Sequence, residues 1–486
     1  MRATFLFLCA FVNAAEASAQ ITDAEFRQRR DSLTARLPQD AVIIAFGERD
    51  EIGFPAFYQS PNFRYLTGLS EPNAVLVITG RDASGHSVGT LFRQDRGPSD
   101  ILFNGPLEDA ALVTRRTNLA VRPLAQLVAV VDSLIGAGRQ LYLVRDTRPY
   151  GGTNDTLTRG SVFAATLRRR SPAPTIRSAD NEILALRARK SASEEQLVRR
   201  ATAITSESVN NAIRNIHPGL HEYDVQAMIE AGFRSGGGDS HPGFATNVSA
   251  GMNSTTAHHR ADNAPLEAGK LVLMDVGAAY QGYSADVTRT VPVGGKFTPE
   301  QRDIYQLVRD AQAAAERAAT LGAPGSAMGD SASATIARGL TRLGLIESPD
   351  ATFDAPWADD CARSVASCRQ SRFFYFHGVG HGIGLDVHDA TQYSGGRGGP
   401  AGAIKPGDAF TIEPGIYVDA RRIALLSDTP KNRGFIAKMR SVIAKYDGIG
   451  VRIEDDYMAT PRGVERITPA AREISEIESL MQRPRP

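Results

Sequence analysis

The stretch Leu271-Val-Leu-Met-Asp-Val-Gly-Ala-Ala-Tyr-Gln-Gly-Tyr-Ser-Ala-Asp-Val-Thr-Arg-Thr-Val-Pro292 contains two apolar segments with one aspartate each. The segments predict two short β-strands, and a turn between Tyr280 and Gln281 would place Asp275 directly opposite Asp286. Opposed side chains of an antiparallel pair have Cβ atoms about 4.5–5.5 Å apart. Two buried carboxylates so close need a shared proton or cations, and a pair of divalent ions is one solution. One aspartate per strand is more often a strand-end or turn residue, so this stretch alone also allows a purely structural role.

A second informative segment is Phe376-His-Gly-Val-Gly-His-Gly-Ile-Gly-Leu-Asp-Val-His-Asp389, which holds three of the nine histidines of the chain. These histidines are His377, His381 and His388. Four glycines in the segment argue against a helix, and they allow the backbone to approach a site closely.

Two glutamates complete the set of candidate ligands. Glu413 ends the apolar run of Phe410-Thr-Ile-Glu, and Glu454 lies two residues after Arg452, on the same face of a predicted strand. Two aspartates, two glutamates and one histidine suit divalent ions such as manganese, cobalt, iron or zinc. Each element alone is a weak signal, but the five together indicate a metal site.

With these blocks the chain resembles the pita-bread metallopeptidases, and among them aminopeptidase P and prolidase. The resemblance is carried by residues 272–277, 286–290, 377–389, 411–417 and 450–456. It extends upstream through Phe63-Arg-Tyr-Leu-Thr-Gly-Leu-Ser-Glu-Pro72. It implies an α+β protein with a pita-bread (creatinase/aminopeptidase) catalytic domain over residues 193–478. An α/β creatinase-like N-terminal domain over residues 20–185 would precede it.

The resemblance also implies a role for each candidate site residue. The metal ligands would be Asp275, Asp286, His381, Glu413 and Glu454. They would hold two divalent ions, expected to be manganese, with cobalt, iron or zinc as alternatives. The catalytic residues would be His258, His388, Glu413 and Arg452, and the substrate-binding residues would be His377 and Tyr417. His259 directly follows His258, so the choice between these two histidines stays open.

The implied function is removal of the amino-terminal residue from peptides that have proline in the second position. Three alternatives remain: a dipeptidase restricted to Xaa-Pro dipeptides, a metal-free creatinase-like hydrolase, and a catalytically silent peptide-binding module. The complete ligand set argues against the last two. The choice between aminopeptidase and dipeptidase depends on whether the loops near residues 395–402 and 419–446 close the substrate cleft.

Three features depart from the pattern of the resembled family. Residues 419–446 form an expected insertion between Glu413 and Glu454, and residues 350–370 form another that contains Cys361 and Cys368. Asn62 occupies the position where some relatives place an aspartate that reaches a neighbouring subunit. A homo-oligomer is expected, but the intersubunit contact of that aspartate does not support the expectation.

The first residues predict a secretory leader. Arg2 is followed by a mostly apolar run over residues 3–12, which is too short to span a bilayer, and Ala17-Ser-Ala19 fits a cleavage site. The leader would direct the chain to the periplasm or the medium and would then be cleaved near Ala19/Gln20. An ordinary N-terminal helix is an alternative. The exported chain would keep Cys361 and Cys368, as a disulfide or as two free thiols.

The charge balance excludes one class of partner. The chain of 486 residues has 55 lysines and arginines against 54 acidic residues, a formal net charge of +1. Nucleic-acid binding needs a surplus of positive charge, so this balance argues against nucleic acids as partners, and the peptide substrates are those that the resemblance implies. No segment after the leader is long and apolar enough to predict a transmembrane helix.

Overall fold

We describe a computed structural model of the chain over residues 20–49, 57–146, 158–170, 172–358, 361, 365–393 and 402–482. The predicted leader and most of the loop expected near residues 395–402 lie outside these residues.

The N-terminal part contains a six-stranded mixed sheet. Its strands are β1 Ala41–Phe46, β2 Val75–Arg81, β3 Ser87–Arg93, β4 Ala120–Pro123, β5 Gln140–Val144 and β6 Ile176–Ser178. Its helices are α1 Asp23–Ala35, α2 Pro61–Thr67, α3 Pro98–Asn104, α4 Ala110–Thr117, α5 Leu127–Gly136, α6 Arg159–Arg168 and α7 Asp180–Arg187. The strand order is β4-β3-β2-β1-β5-β6, with β1 parallel to β5 and antiparallel to β2.

Strand β1 is buried on both faces of this sheet. Val42 and Ile44 pack into an apolar cluster on one face, and Ile43 and Ala45 pack into a second cluster on the other. Alternating side chains of a strand point to opposite faces, so a continuous apolar run is what a strand covered on both sides requires. The second cluster also contains Leu385, from the histidine-rich segment, so the N-terminal sheet packs directly beneath the candidate site.

The C-terminal part groups its helices apart from several small antiparallel sheets. The helices are α8 Ala192–Asn215, α9 Glu222–Ser235, α10 Pro299–Ala318, α11 Ser326–Leu343, α12 Pro430–Lys445 and α13 Ile474–Met481. The strands are β7 Asn247–Ala250, β8 Leu271–Val276, β9 Ala279–Tyr280, β10 Tyr283–Ser284, β11 Val287–Pro292, β12 Ala409–Ile412, β13 Gly415–Val418, β14 Ile449–Arg452, β15 Asp455–Thr460 and β16 Gly463–Arg466. The sheet orders are β11-β8-β7, β12-β15-β16, β13-β14 and β10-β9. This arrangement confirms the predicted α+β class.

The hairpin between β8 and β11 corrects the predicted strand register. Its turn lies at Gln281 and Gly282, which both have positive φ, at 50° and 84°. That geometry is a type I′ turn, which matches the twist of antiparallel strands. Asp275 therefore opposes Thr288, and Asp286 lies two positions nearer the turn. A shift of two residues keeps a side chain on the same face, so the two aspartates still share a face.

The two predicted insertions pack against each other. The amide of Asp354 donates to Asn432 Oδ1 at 2.9 Å, and Thr429 Oγ1 donates to Asp354 Oδ2 at 2.6 Å. Cys361 and Cys368 form a disulfide with their Cα atoms 5.7 Å apart, which settles the alternative of two free thiols. Over the described residues, no helix combines the length and the apolar character that crossing a bilayer requires.

Substitution of Gly282 should destabilise the protein through two effects. An alanine there would adopt a left-handed backbone, and its Cβ would lie 2.7 Å from Arg64 Nε. The backbone cost alone is about 1–2 kcal/mol, and displacing the Arg64 side chain adds a smaller cost to it. Gly269 is the matched control, because its φ is 78° and an added Cβ would meet no atom within 4 Å. Calorimetry should show a larger decrease in Tm for Gly282→Ala than for Gly269→Ala, and equal decreases would contradict the packing argument.

Candidate metal centre

Four carboxylates from separate strands converge beside the β8–β11 hairpin. Asp275 lies in β8, Asp286 directly precedes β11, Glu413 directly follows β12, and Glu454 lies between β14 and β15. The strands are held side by side by backbone contacts such as Glu454 N–H to the Thr288 carbonyl at 3.1 Å. Strand ends from different sheets thereby direct their acidic side chains to one place.

His381 reaches the same place from a loop that runs along β12. The Thr411 amide donates to the His381 carbonyl at 2.8 Å, and the His381 amide donates to Thr411 Oγ1 at 3.2 Å. The preceding Gly380 passes so close to β12 that a Cβ there would lie 2.0 Å from the Thr411 carbonyl oxygen. Glycine at this position is therefore required for the loop to present His381.

The ring of His381 turns a bare nitrogen toward the carboxylates. Its Nδ1 lies 3.1 Å from the Gly382 carbonyl oxygen, which can only accept, so Nδ1 carries the proton. Burial, and then the charge of the neighbouring His388, lower the pKa of His381 to about 3, so the ring is neutral and Nε2 has a free lone pair. Nε2 lies 3.5 Å from Asp286, 3.5 Å from Glu413 and 3.8 Å from Glu454.

These distances fit ligands that share a cation. Two ligand atoms each about 2.1 Å from a divalent ion lie roughly 3–3.6 Å from each other. A lone pair facing three carboxylate groups is repulsive unless positive charge lies between them. Asp286, His381 and Glu454 offer ligand atoms within 4.8 Å of one another.

The carboxylates themselves show the same need for positive charge. Burial, and then the charge of Glu454, raise the pKa of Asp286 and of Glu413 well above the usual range. Burial, and then the charge of Asp275, raise the pKa of Glu454 to about 7. Asp286 Oδ1 and Glu454 Oε1 are buried and receive no hydrogen bond from the part of the chain that the structure describes. Buried carboxylate oxygens without donors are where metal ions bind, so the residues fit a divalent-metal centre.

Thr288 joins three of the polar groups, and the sequence analysis gave it no role. Its hydroxyl accepts from Arg452 Nε at 3.1 Å and lies 2.7 Å from Glu454 Oε2 and 3.2 Å from Asp275 Oδ1. Thr288 lies two residues after Asp286, so the alternation of the strand predicts that it shares the face of that aspartate. This signal was available from the sequence alone.

Arg452 connects the carboxylates to a buried tyrosine and a histidine. Its guanidinium donates to Asp275 Oδ2 and, at 2.7 Å, to the hydroxyl of Tyr417. The Tyr417 hydroxyl lies 2.9 Å from His377 Nε2. Burial, and then the charge of Arg452, lower the pKa of His377 to about 3, and its Nδ1 lies 2.7 Å from the Gly378 carbonyl oxygen. Nε2 of the neutral ring therefore accepts the proton of Tyr417.

The remaining predicted histidines border the cluster. The rings of His381 and His388 have centroids 4.0 Å apart. Burial lowers the pKa of His388, and the charge of His258 lowers it further, which places His258 within electrostatic reach. His259 lies instead 2.8 Å from the buried Glu222, whereas the charge of His258 acts on both His388 and His377, so His258 is the nearer of the two to the cluster.

Two further aspartates hold the ligand strands from behind. Asp456 accepts the backbone amide of Asp286, at 3.3 Å to each of its oxygens, and the Thr202 hydroxyl at 2.6 Å. Asp455 forms a fully buried ion pair with Arg289 at 2.6 Å. The three consecutive acidic residues 454–456 therefore have different tasks, of which only Glu454 faces the cluster.

Arg187, at the end of α7, links the loop that carries His388 to helix α2 of the N-terminal part. It donates to Asp386 Oδ2 at 2.6 Å and to Asn62 Oδ1 at 2.7 Å, and it lies 2.7 Å from Asp389 Oδ1. Asn62 is buried within its own chain, so it does not reach outward as the aspartate of some relatives was expected to do. These contacts flank His388 on both sides in the sequence.

Comparisons with known proteins agree with this geometry. Residues 196–461 match the model of metallopeptidase family M24, and residues 26–142 match that of the aminopeptidase P N-terminal domain. The Xaa-Pro aminopeptidase of Escherichia coli (strain K12) is 30% identical over 482 residues, which cover 95% of this chain and 98% of that protein. The structure of Pseudomonas aeruginosa aminopeptidase PepP matches with a TM-score of 0.76 at 30% identity, over 95% of this chain and 98% of that one. Proline aminopeptidase P II from Yersinia pestis matches with a TM-score of 0.77 at 28% identity, over 95% and 99% of the chains.

Replacing the Thr288 hydroxyl should weaken metal binding. Thr288→Val keeps the shape of the side chain but leaves Glu454, Asp275 and Arg452 without their shared partner, so metal affinity should fall about 10- to 100-fold. Thr290→Val is the matched control, because Thr290 is equally buried in β11 but bonds only to the backbone of Arg452. Calorimetric titration with Mn²⁺ measures both affinities, and an equal loss for the two variants would show that Thr288 acts only through stability.

Proposed function

The chain belongs to metallopeptidase family M24, as the resemblance of its sequence implied, and we propose that it is an Xaa-Pro aminopeptidase. It removes the amino-terminal residue from peptides whose second residue is proline. The observation that carries this proposal is the neutral His381, whose bare Nε2 faces three buried carboxylates at 3.5–3.8 Å. Cations bound among these groups would relieve that repulsion, and the surrounding residues suit peptide-bond hydrolysis.

The five predicted ligands would hold two divalent ions. They are Asp275, Asp286, His381, Glu413 and Glu454. Ions bound there polarise a peptide carbonyl and make a water molecule nucleophilic near neutral pH. We propose manganese as the native metal, with cobalt, iron or zinc as alternatives, because oxygen-rich sites with one imidazole suit these ions.

Glu413 is placed to move the proton. Its Oε1 lies 3.5 Å from His381 Nε2, and its Oε2 lies 3.8 Å from His377 Nδ1. The carboxylate therefore spans the ligand cluster and the histidine–tyrosine side of the site. From this position it accepts a proton from the attacking water and passes it to the leaving nitrogen of proline.

The histidines and aromatic residues hold the substrate. His258 and His388 border the cluster, and a donor there stabilises the oxyanion that forms on the scissile carbonyl. Phe376 and His377 form an aromatic wall that accepts a pyrrolidine ring, and the fully buried Tyr417 packs behind them, with its ring centroid 5.1 Å from that of Phe376. The bond before proline has no N–H, so selectivity must come from such contact with the ring rather than from a donated hydrogen bond.

We also propose that the chain is exported. The pattern of residues 1–19 supports a cleaved leader, and the disulfide between Cys361 and Cys368 supports an oxidising compartment. Self-association of the chain stays a prediction, which sedimentation of the purified protein would test.

Metal removal and substrate length test the proposed activity together. Chelation should lower cleavage of an Xaa-Pro-Xaa peptide roughly a hundredfold or more, because bound metal supplies several kcal/mol of transition-state stabilisation, and added Mn²⁺ should restore it. The restored enzyme should cleave peptides longer than a dipeptide. Chromatography of the released first residue measures both the metal dependence and the accepted substrate length.

Two results would overturn parts of this proposal. Cleavage of the dipeptide alone would identify a dipeptidase. No cleavage of either substrate, with Asp275→Ala indistinguishable from wild type in metal binding, would remove the enzymatic interpretation. His86→Ala serves as the control substitution, since this side chain is 66% exposed on the N-terminal sheet.

Export makes a separate prediction. Mature protein recovered from the periplasm or the medium should begin at or near Gln20, and it should contain no free thiol until it is reduced. Amino-terminal sequencing and a thiol titration measure these properties. An intact Met1 on cytoplasmic protein would contradict export.

A further inference from the structure

The segment that carries His258 is a long connection between β7 and β8. It begins with a 3₁₀-helical turn over Gly251–Thr255 and continues through His258 and His259 to Asp262. His258 is exposed, as its proposed contact with substrate requires. The contacts of its own side chain therefore do not fix its position. Some other part of the loop must hold the imidazole near His388.

Glu222 provides that hold from the first turn of α9. Its side chain is completely buried. Oε1 accepts the Ala250 amide at 2.6 Å and Asn253 Nδ2 at 3.0 Å. Oε2 lies 2.8 Å from His259 Nε2 and accepts the Asp262 amide at 3.0 Å. One carboxylate therefore binds the beginning, the middle and the end of the His258 loop.

Glu222, His259 and Asp262 also lie within the distances of a metal site. Each oxygen of Glu222 already has two N–H donors, however, so no lone pair is left for a cation. These N–H donors stabilise the charge of the buried Glu222 carboxylate. Asp286 Oδ1 and Glu454 Oε1, by contrast, have no such donor among the described residues. The cluster is therefore a hydrogen-bonded clamp, and His259 must carry its proton on Nε2 to take part.

We propose that Glu222 and His259 are positioning residues for His258, an inference that rests on the proposed aminopeptidase function. His259 directly follows His258, so fixing the His259 ring on Glu222 fixes the backbone from which the His258 side chain departs. The His259 amide also donates to the Thr256 carbonyl at 3.4 Å, so His258 lies in the turn that this bond closes. The His259 ring points into the protein, to Glu222, and the exposed His258 is left to meet the substrate.

A double-mutant cycle separates positioning from general damage. Misplacing a catalytic group by about 1 Å costs up to roughly 100-fold, so His259→Ala should lower kcat about 10- to 100-fold with a small change in KM. His259→Gln should recover most of the activity, because its amide still donates to Glu222. In a His258→Ala background, His259→Ala should change kcat less than twofold, since the residue it positions is already absent.

Limited proteolysis tests the clamp without any activity measurement. Arg260 is exposed in the loop and is followed by alanine, so trypsin can cleave there when the loop opens. His259→Ala and Glu222→Gln should each increase cleavage after Arg260 roughly tenfold or more, because a charge-assisted hydrogen bond is lost. Cleavage after the exposed Lys296, on a separate turn, is the internal control. Mass spectrometry follows both products.

The outcomes are distinct. Equal activity of His259→Ala and wild type, or losses that simply multiply in the double variant, would overturn the positioning role. Unchanged cleavage after Arg260 would overturn the clamp. If wild type cleaved no Xaa-Pro peptide, the proposed function would fail while the proteolysis still decided whether Glu222 and His259 hold the loop.

Discussion

The centre of this protein depends on buried negative charge that the chain itself does not neutralise. Burial and mutual repulsion raise the pKa of Asp286, Glu413 and Glu454, and two of their oxygens have no donor. Arg452 compensates Asp275 alone by direct contact. The remaining charge is a cost to folding unless cations bind, so metal binding and stability of this region are linked.

Residues around the carboxylate cluster hold it in place, because the carboxylates themselves repel one another. Each carboxylate of the cluster lies at or near a strand end, and neighbouring acidic residues serve as anchors: Asp456 holds the backbone of Asp286, and Asp455 pairs with Arg289. Thr288 and Arg452 then link the ligand cluster to Tyr417 and His377. A continuous hydrogen-bonded network therefore extends from the metal ligands to the aromatic wall, and it fixes the orientation of groups that would otherwise repel one another.

The two exposed histidines of the site are held by different parts of the fold. The loop of His388 is tied by Arg187, at the end of the helix that follows the N-terminal sheet, through Asp386 and Asp389. The loop of His258 is tied by Glu222, from a helix of the C-terminal part. Arg187 and Glu222 are buried and hold the two loops, while the imidazoles of His388 and His258 stay exposed. Exposure is what the proposed contact of these imidazoles with substrate requires.

The sequence predicted the α+β class and the strands beside which Asp275, Asp286, Glu413 and Glu454 lie, because apolar runs that carry single acidic residues are visible without a structure, and the resemblance added His381. It also placed Asp275 and Asp286 on one face, although the type I′ turn at Gln281 and Gly282 shifted their register by two residues. Only the tertiary structure placed His259 on Glu222, placed Asn62 against Arg187, and revealed the contacts that make Glu222 a linking residue. Those assignments depend on contacts between segments far apart in the chain, and no local pattern records which distant partner a buried polar side chain will find.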